Sequence, residues 1–277
     1  MAMDKAFKNR TKEHFFALRE KLEAFPIADR ESACALRRCS VINSSAIDMS
    51  NIDPIFLEMA PDRIPNRKWE RISSSYQSAM IETQALLQAS ERIEETAATK
   101  TPLSVAFLLQ LHRSVFERTQ YSAAGRFRSS RDLPSLTGHE LPHHSRLPEL
   151  VDHHLSWLNH RLSIFSNVTF DNFMEMFHIA AEGIYRFADS LPFECGTGRF
   201  GRAVGDYVFL YTGLYHLIVA YDKRDEYADV VSGSAIDNLA PLVNFLVASF
   251  AATLDRIDGF VQLSQEAGQD VCRKNLH

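Results

Sequence analysis

Glycine fills only 11 of the 277 positions in this chain. Scarce glycine beside abundant Ala, Leu, Arg, Glu and Ser, with little alternating Val, Ile or Thr, disfavours a β-sandwich or an α/β sheet and favours helices. A chain of this length buries roughly 70 to 75 per cent of its unfolded surface, so it needs no covalent staple and reads as one globular unit with an appended segment. Hydrophobic residues at 45% and charged residues at 23% are ordinary globular values. The net charge of -5 exerts no global pull on a phosphate backbone, and no basic patch dominates, so no nucleic-acid partner is expected. Cys34, Cys39, Cys195 and Cys272 form no CxxC pair. Without a basic and apolar leader they read as reduced thiols in a cytoplasm. The most apolar window, Leu239 to Leu254, is about one turn short of a bilayer span and contains Asn244, which favours a buried core helix over a membrane span.

Apolar spacing places an amphipathic helix over 6–25, stopped by Pro26, and a second short helix over 29–40. Residues 42–66, with Pro54, Pro61 and Pro65, read as loop with short helical turns. Further helices are expected from Trp69 to Ala97, from the turn holding Pro102 to about Phe116, and over 148–162 and 170–188. Two more are expected from about Arg199 to Tyr221 and from Asp237, as N-cap, to Leu263. Between 121 and 146 the helical period stops around Gly125, Pro134, Gly138 and Pro142, which predicts a loop or small hairpin of functional length.

Two short patterns look like familiar chemistry. His139-Glu140-Leu141-Pro142-His143 spells HExxH, but Pro142 and the loop-like flanks deny it the helix that would put both histidines on one face. An adventitious metal site in this histidine-rich stretch is the weaker alternative to a solvated loop. Gly196-Thr197-Gly198-Arg199-Phe200-Gly201 spells GxGxxG, yet the segment before it has helical spacing rather than a strand, so a dinucleotide fold is not expected. What remains is a small-residue loop opening a helix, with Arg199 and Arg202 three apart on its first turn. Such a loop suits a phosphate or carboxylate.

Read with its neighbours, Leu191-Pro192-Phe193-Glu194-Cys195-Gly196-Thr197-Gly198-Arg199-Phe200-Gly201-Arg202 resembles HPFxDGNGRxxR, the signature of Fic proteins. Leu109 to Arg113 is similar to the family's helix before the active-site flap, and Gly125-Arg126-Phe127-Arg128 to its G-x-[YF]-R segment. Leu136 to His144 falls where the family has the flap hairpin, and Leu147 to Asn159 resembles the following helix. Ser44-Ser45-Ala46-Ile47-Asp48 is similar to the SSxIEG inhibitory-helix motif. The resemblance implies an all-α Fido-fold helical bundle with a short β-hairpin flap (about 125–146) and an N-terminal helical extension. It implies residues 1–98 as an N-terminal region carrying the inhibitory-like segment 44–48, and residues 99–277 as the core with the loop 191–202.

The family transfers AMP, or another phosphate-containing group, to protein hydroxyls. By resemblance Gly196, Thr197, Gly198 and Arg199 would hold nucleotide phosphates and Arg202 the outermost one, while the flap would dock a target or regulatory protein. Counted back from Arg199, however, the histidine base position is Leu191, the magnesium carboxylate is Cys195 and the asparagine is Thr197. Leucine takes up no proton, and a missing general base costs on the order of a hundred- to ten-thousand-fold. A thiol is a poor ligand for a hard cation. No metal is therefore expected, and ATP or another nucleotide with magnesium would be used only if the ancestral chemistry persists.

The leading expectation is a pseudoenzyme-like member that binds a phosphate-containing ligand or a protein partner, as a regulator or an exported bacterial effector. The alternative is an active nucleotidyltransferase with altered residues. In that case Glu194 could reach a metal after a one-residue shift, or Cys195, beside a helix N-terminus and Arg199, could act as a low-pKa nucleophile. In the inhibitory-like segment Asp48 replaces the family's glutamate, and Ser44 and Asp48 are candidates to meet Arg202. Glu82, in Ser78 to Glu82, is the alternative.

Overall fold

The computed structural model describes residues 4–23, 26–49, 52–59, 64–130, 133–165 and 167–274; within these, side chains are described except at 26–32, 66–67 and 263–274. Phe25, Pro61 and the Cys272 side chain lie outside the described residues. The chain is all-α. Its helices are α1 (Lys5–Glu23), α2 (Pro26–Asp48), α3 (Pro54–Leu57), α4 (Asn66–Trp69), α5 (Ser74–Ala98) and α6 (Val105–Phe116). They continue with α7 (Leu147–Ser163), α8 (Phe173–Ser190), α9 (Thr197–Thr212), α10 (Arg224–Ser232) and α11 (Ala240–Lys274).

Several boundaries differ from the sequence expectation: α9 stops at Thr212 rather than Tyr221, at a left-handed Gly213, and three others have equally local reasons. The expected short helix over 29–40 runs on to Asp48, because Leu36, Val41, Ile42 and Ala46 give its second half a buried stripe. Ser104, not the turn holding Pro102, starts α6, with its side chain accepting from the Phe107 N–H at 3.2 Å. Asp237 does not cap α11. It sits in a tight turn between the bridged residues Ala235 and Asn238, and the helix begins at Ala240.

The expected β-hairpin flap is not seen among the described residues of 125–146, where there is no strand. The polar groups of this segment are satisfied from elsewhere rather than across a ladder. Arg128 donates to the carbonyls of Ser130 and Pro142, and Thr137 donates to Asp189 on α8 at 2.8 Å.

A phenylalanine cluster fixes the bundle. Phe15 (α1), Phe173 and Phe177 (α8), Phe209 (α9) and Phe250 (α11) are fully buried, with adjacent ring centroids 5.0 to 5.9 Å apart. Each ring contributes about 1.5 to 3 kcal/mol by leaving water. The α8 and α9 helices pack more extensively than any other pair, which ties the loop between them to the core. Their contact is close because Gly205 has no side chain: a Cβ there would lie 2.7 Å from Ile184 Cδ1. A larger residue would force the Ile184 side chain to shift or the helices to separate.

A buried charge network anchors α2 against this core. Both ring nitrogens of His216 face carboxylates, with Nδ1 2.8 Å from Asp206 Oδ2 and Nε2 2.8 Å from Glu94 Oε1. Only an imidazolium donates from both positions. Burial opposes that charge, but the two carboxylates outweigh it and push the pKa of His216 up to about 9. Asp206 also accepts from the Leu217 N–H at 2.7 Å, and Glu94 accepts from Arg37 of α2 at 2.7 Å. Ser40 and Asn43 of α2 add hydrogen bonds to the Leu217 carbonyl and the Tyr221 N–H, both at 2.8 Å.

A folded pKa near 9 lies above the ordinary histidine value, so this stabilisation is complete below the unfolded pKa and is lost as pH rises through about 9. The stability advantage of the wild type over His216→Gln should therefore shrink by about 2 kcal/mol between pH 7 and pH 10, measured by urea unfolding.

Candidate functional site

The turn from α8 into the loop 191–196 is held by a leucine in the left-handed region. Leu191 has φ 41° and ψ 64°, donates its N–H to the Phe187 carbonyl at 3.0 Å and lies almost wholly buried. An L-residue held there costs about 1 to 2 kcal/mol, so surrounding contacts must enforce the turn. The buried Arg128 guanidinium supplies them: Nε donates to the Leu191 carbonyl at 2.7 Å and Nη2 to the Pro142 carbonyl at 2.6 Å. The Arg128 N–H donates to the Pro192 carbonyl at 2.9 Å. The Gly125 to Arg128 segment is visible in the sequence, but the role of its arginine is not. Its partners are backbone carbonyls from distant parts of the chain, which no local pattern announces.

His112 of α6 supports the loop from below. Its Nδ1 accepts from the Gly125 N–H at 3.0 Å, so Nε2 carries the proton and donates to the Cys195 carbonyl at 3.0 Å. Its ring stacks on Phe193 with centroids 4.1 Å apart, and burial pushes its pKa down to about 4. His112 is thus a neutral strut.

The donors of the loop converge on one internal carboxylate. Asp48, at the end of α2, accepts from the Arg199 N–H at 3.0 Å through Oδ2 and from Arg202 Nη2 at 2.6 Å through Oδ1. Arg199 Nε lies 3.5 Å from Oδ2 with no hydrogen-bond partner of its own. Arg202 donates further to the Ser44 hydroxyl and the Ser44 carbonyl, both at 2.8 Å. Burial works against the Arg202 charge, but Asp48 and Tyr227 more than compensate and raise its pKa. Gly198 makes the arrangement possible, since a Cβ there would lie 2.7 Å from Asp48 Oδ1.

The structure thus brings Ser44 and Asp48 to Arg202, as the sequence suggested. Glu82, the alternative, meets the other arginine: its Oε2 accepts from Arg199 Nη1 at 2.8 Å and its Oε1 from the Thr119 hydroxyl at 2.7 Å. Asp48 and Glu82 are therefore not alternatives; each neutralises one arginine. Arg199 also lies over the Phe116 ring, 4.7 Å from its centroid.

The positions that would carry chemistry are placed differently. Leu191, at the position the resemblance gives to the base, carries an aliphatic side chain. Cys195 lacks the lowered pKa that its neighbourhood suggested: burial raises its thiol to about 11, against the opposing pull of Arg199. It stays protonated, which removes it as a thiolate nucleophile. Glu194 lines the same cavity but accepts from the Ser129 N–H at 3.1 Å and the Ser129 hydroxyl at 3.0 Å, bonds that lower its pKa. Thr197 bonds back to Phe193, its hydroxyl donating to the carbonyl at 3.1 Å and accepting from the N–H at 3.2 Å. A magnesium ion does not fit these residues, because the thiol is neutral and soft and the neighbouring carboxylate is engaged elsewhere. An anion does fit, at the position of the Asp48 carboxylate.

The site opens into a cavity of about 700 Å³. The cationic half is formed by Gly196 to Arg202. Much of the rest is apolar, with Leu133, Pro134 and Leu136 from the flap segment, Ile184 of α8 and Leu191 just after it, while Glu194, Arg224, Asp225 and Tyr227 add polar groups. The HExxH segment is not helical, and His139 instead pairs with Asp189 at 2.8 Å. Among the described residues no group of three or more His, Cys, Asp or Glu is placed to hold a metal.

Residues 102–209 match the model of the Fic/DOC family. Solved structures share the fold over nearly the whole chain. A Fic-domain-containing signaling protein from Bacteroides thetaiotaomicron aligns with a TM-score of 0.75 at 15% identity, covering 91% of this chain and 97% of that one. Fic-1 (residues 134–508) from C. elegans aligns with a TM-score of 0.71 at 19% identity, over 94% of this chain and 74% of that one. A Fic family protein from Desulfovibrio desulfuricans aligns with a TM-score of 0.60 at 18% identity, covering 94% and 76%. The segment matched by the family model runs from α6 into α9 and contains the loop 191–196.

The loop's shape depends on Gly196. It has φ +72°, and a Cβ there would lie 2.4 Å from Phe116 Cζ. Gly196→Ala should destabilise the fold by about 2 to 4 kcal/mol, from left-handed strain plus overpacking, as read by denaturant unfolding.

Proposed function

We propose that this chain is a Fic-fold binding protein: it uses the family's anion loop to hold a phosphate-bearing ligand and does not transfer AMP. The observation that carries this reading is the Asp48 carboxylate, which receives the Arg199 N–H and Arg202 Nη2 as two oxygens of a phosphate would, beside a leucine at the base position. Proton removal from a target hydroxyl would need a base within reach of the loop. The candidates fail on different grounds: His112 is spent on backbone bonds, Cys195 is a protonated thiol and Glu194 is turned to Ser129. Binding needs none of these groups.

Asp48 acts as a tethered competitor. A carboxylate carried on the same chain competes at an effective concentration of about millimolar or higher, so external phosphate binds only in the fraction of molecules where α2 has withdrawn Asp48. The reading therefore describes a gated binding module, with α2 as the gate and the flap segment as the face where a target or regulatory protein would dock.

Asp48→Ala should bind inorganic phosphate at least about tenfold more tightly than the wild type by calorimetry, and adding Arg202→Ala should abolish that binding. Neither the wild type nor Asp48→Ala should transfer label from α-labelled nucleotides to protein. Labelling that persists in Cys195→Ala and vanishes in Arg199→Ala would establish the alternative, an active transferase with altered residues.

A further inference from the structure

The cavity's two halves together indicate what kind of ligand it takes. On one side the donors occupied by Asp48 are the Arg199 N–H, Arg202 Nη2 and the buried, unpartnered Arg199 Nε, three groups set for an anion with at least two oxygens. Much of the remaining lining is apolar: Leu133, Pro134, Leu136, Ile184, Leu191 and Phe193. The polar side chains beside them are already engaged, Glu194 with Ser129, Thr197 with Phe193 and Tyr227 with Arg202. The charged rim, Arg224 and Asp225, lies on α10 across the opening, and Arg224 is engaged with the Tyr221 hydroxyl at 2.5 Å.

A polyhydroxylated ligand such as a nucleotide ribose would lose hydration against these aliphatic side chains, beside polar groups already bonded within the protein, which is costly. An alkyl chain loses nothing there and gains by leaving water. Leu191 is central, because its enforced left-handed backbone points an aliphatic side chain into the cavity next to the anion donors. The volume of about 700 Å³ accommodates a phosphate with a chain of several carbons.

We propose that the cavity binds a monomeric amphiphilic anion, a phosphate head on an unbranched apolar stem, with the head taking the place of the Asp48 carboxylate and the stem lying along the Leu191 wall. The inference rests on the reading that this loop holds phosphate, and adds the class of group attached to it. The stem needs neither a base nor a metal, in keeping with the residues present.

The test uses the full chain carrying Asp48→Ala, titrated with inorganic phosphate, with octyl phosphate below its micelle-forming concentration, and with ATP. Each buried methylene multiplies affinity about fourfold. With three or more buried, octyl phosphate should bind at least about fiftyfold more tightly than inorganic phosphate, and more tightly than ATP. Leu191→Asn is a backbone-compatible probe, since asparagine tolerates the left-handed region. It should cut the ratio of octyl phosphate to inorganic phosphate affinity at least fivefold, with folding checked by thermal unfolding.

Phosphate binding with no gain from the chain, or tighter binding of ATP, would overturn the inference and leave the anion loop standing. Binding of none of the three would overturn both. Octyl phosphate binding that survives Arg202→Ala would show non-specific detergent uptake and would also overturn the inference.

Discussion

The Asp48 carboxylate is the contact on which the site's state depends. It takes the Arg199 N–H at the start of α9 and the Arg202 guanidinium on the next turn; without it the Arg199 N–H loses its partner and Arg202 keeps only its neutral partners, such as Ser44. Arg202 is almost fully buried, so removing its partner would strand a charge out of water, which typically costs several kcal/mol. The anion loop is therefore stable either with Asp48 in place or with another anion in its place. The contact also joins the N-terminal helices to the matched family segment, because α2 brings both Ser44 and Asp48 to Arg202.

The position of α2 is itself determined elsewhere. Arg37, Ser40 and Asn43, spaced along one face of that helix, bind Glu94, the Leu217 carbonyl and the Tyr221 N–H. The doubly paired His216 is the hub of this arrangement. On the far side Glu82 holds Arg199 towards α5 and α6, over the Phe116 ring that also underlies Gly196. Each arginine is thus aimed by a carboxylate from a different helix. The loop's geometry is set by side chains outside the loop.

Much of this was legible in the sequence where the determinants are local. Scarce glycine and apolar periodicity indicated a helical bundle, and three of the glycines, clustered at 196, 198 and 201, marked the anion loop. The Ser44 to Asp48 segment pointed to Arg202 through a motif. What stayed hidden depends on distance along the chain: Arg128 clamping Leu191 across 63 residues, Glu82 on Arg199 across 117, and Asp206 with Glu94 around His216. Whether the flap segment forms a hairpin is not legible in sequence, because turn residues around a loop look the same whether its polar groups pair across strands or, as with Arg128 and Thr137, through side chains. Cys195 was misread because proximity to a helix N-terminus is visible in sequence while burial, which wins here, is not.

The most direct measurement of the central claim is a crystal structure of the Asp48→Ala protein grown with inorganic phosphate. The account predicts phosphate density bonded to the Arg199 N–H and Arg202 Nη2, in the place Asp48 vacated, with Leu191 still left-handed and no cation beside Cys195. An empty loop, or a cation coordinated by Glu194 after the loop had shifted by one residue, would contradict it.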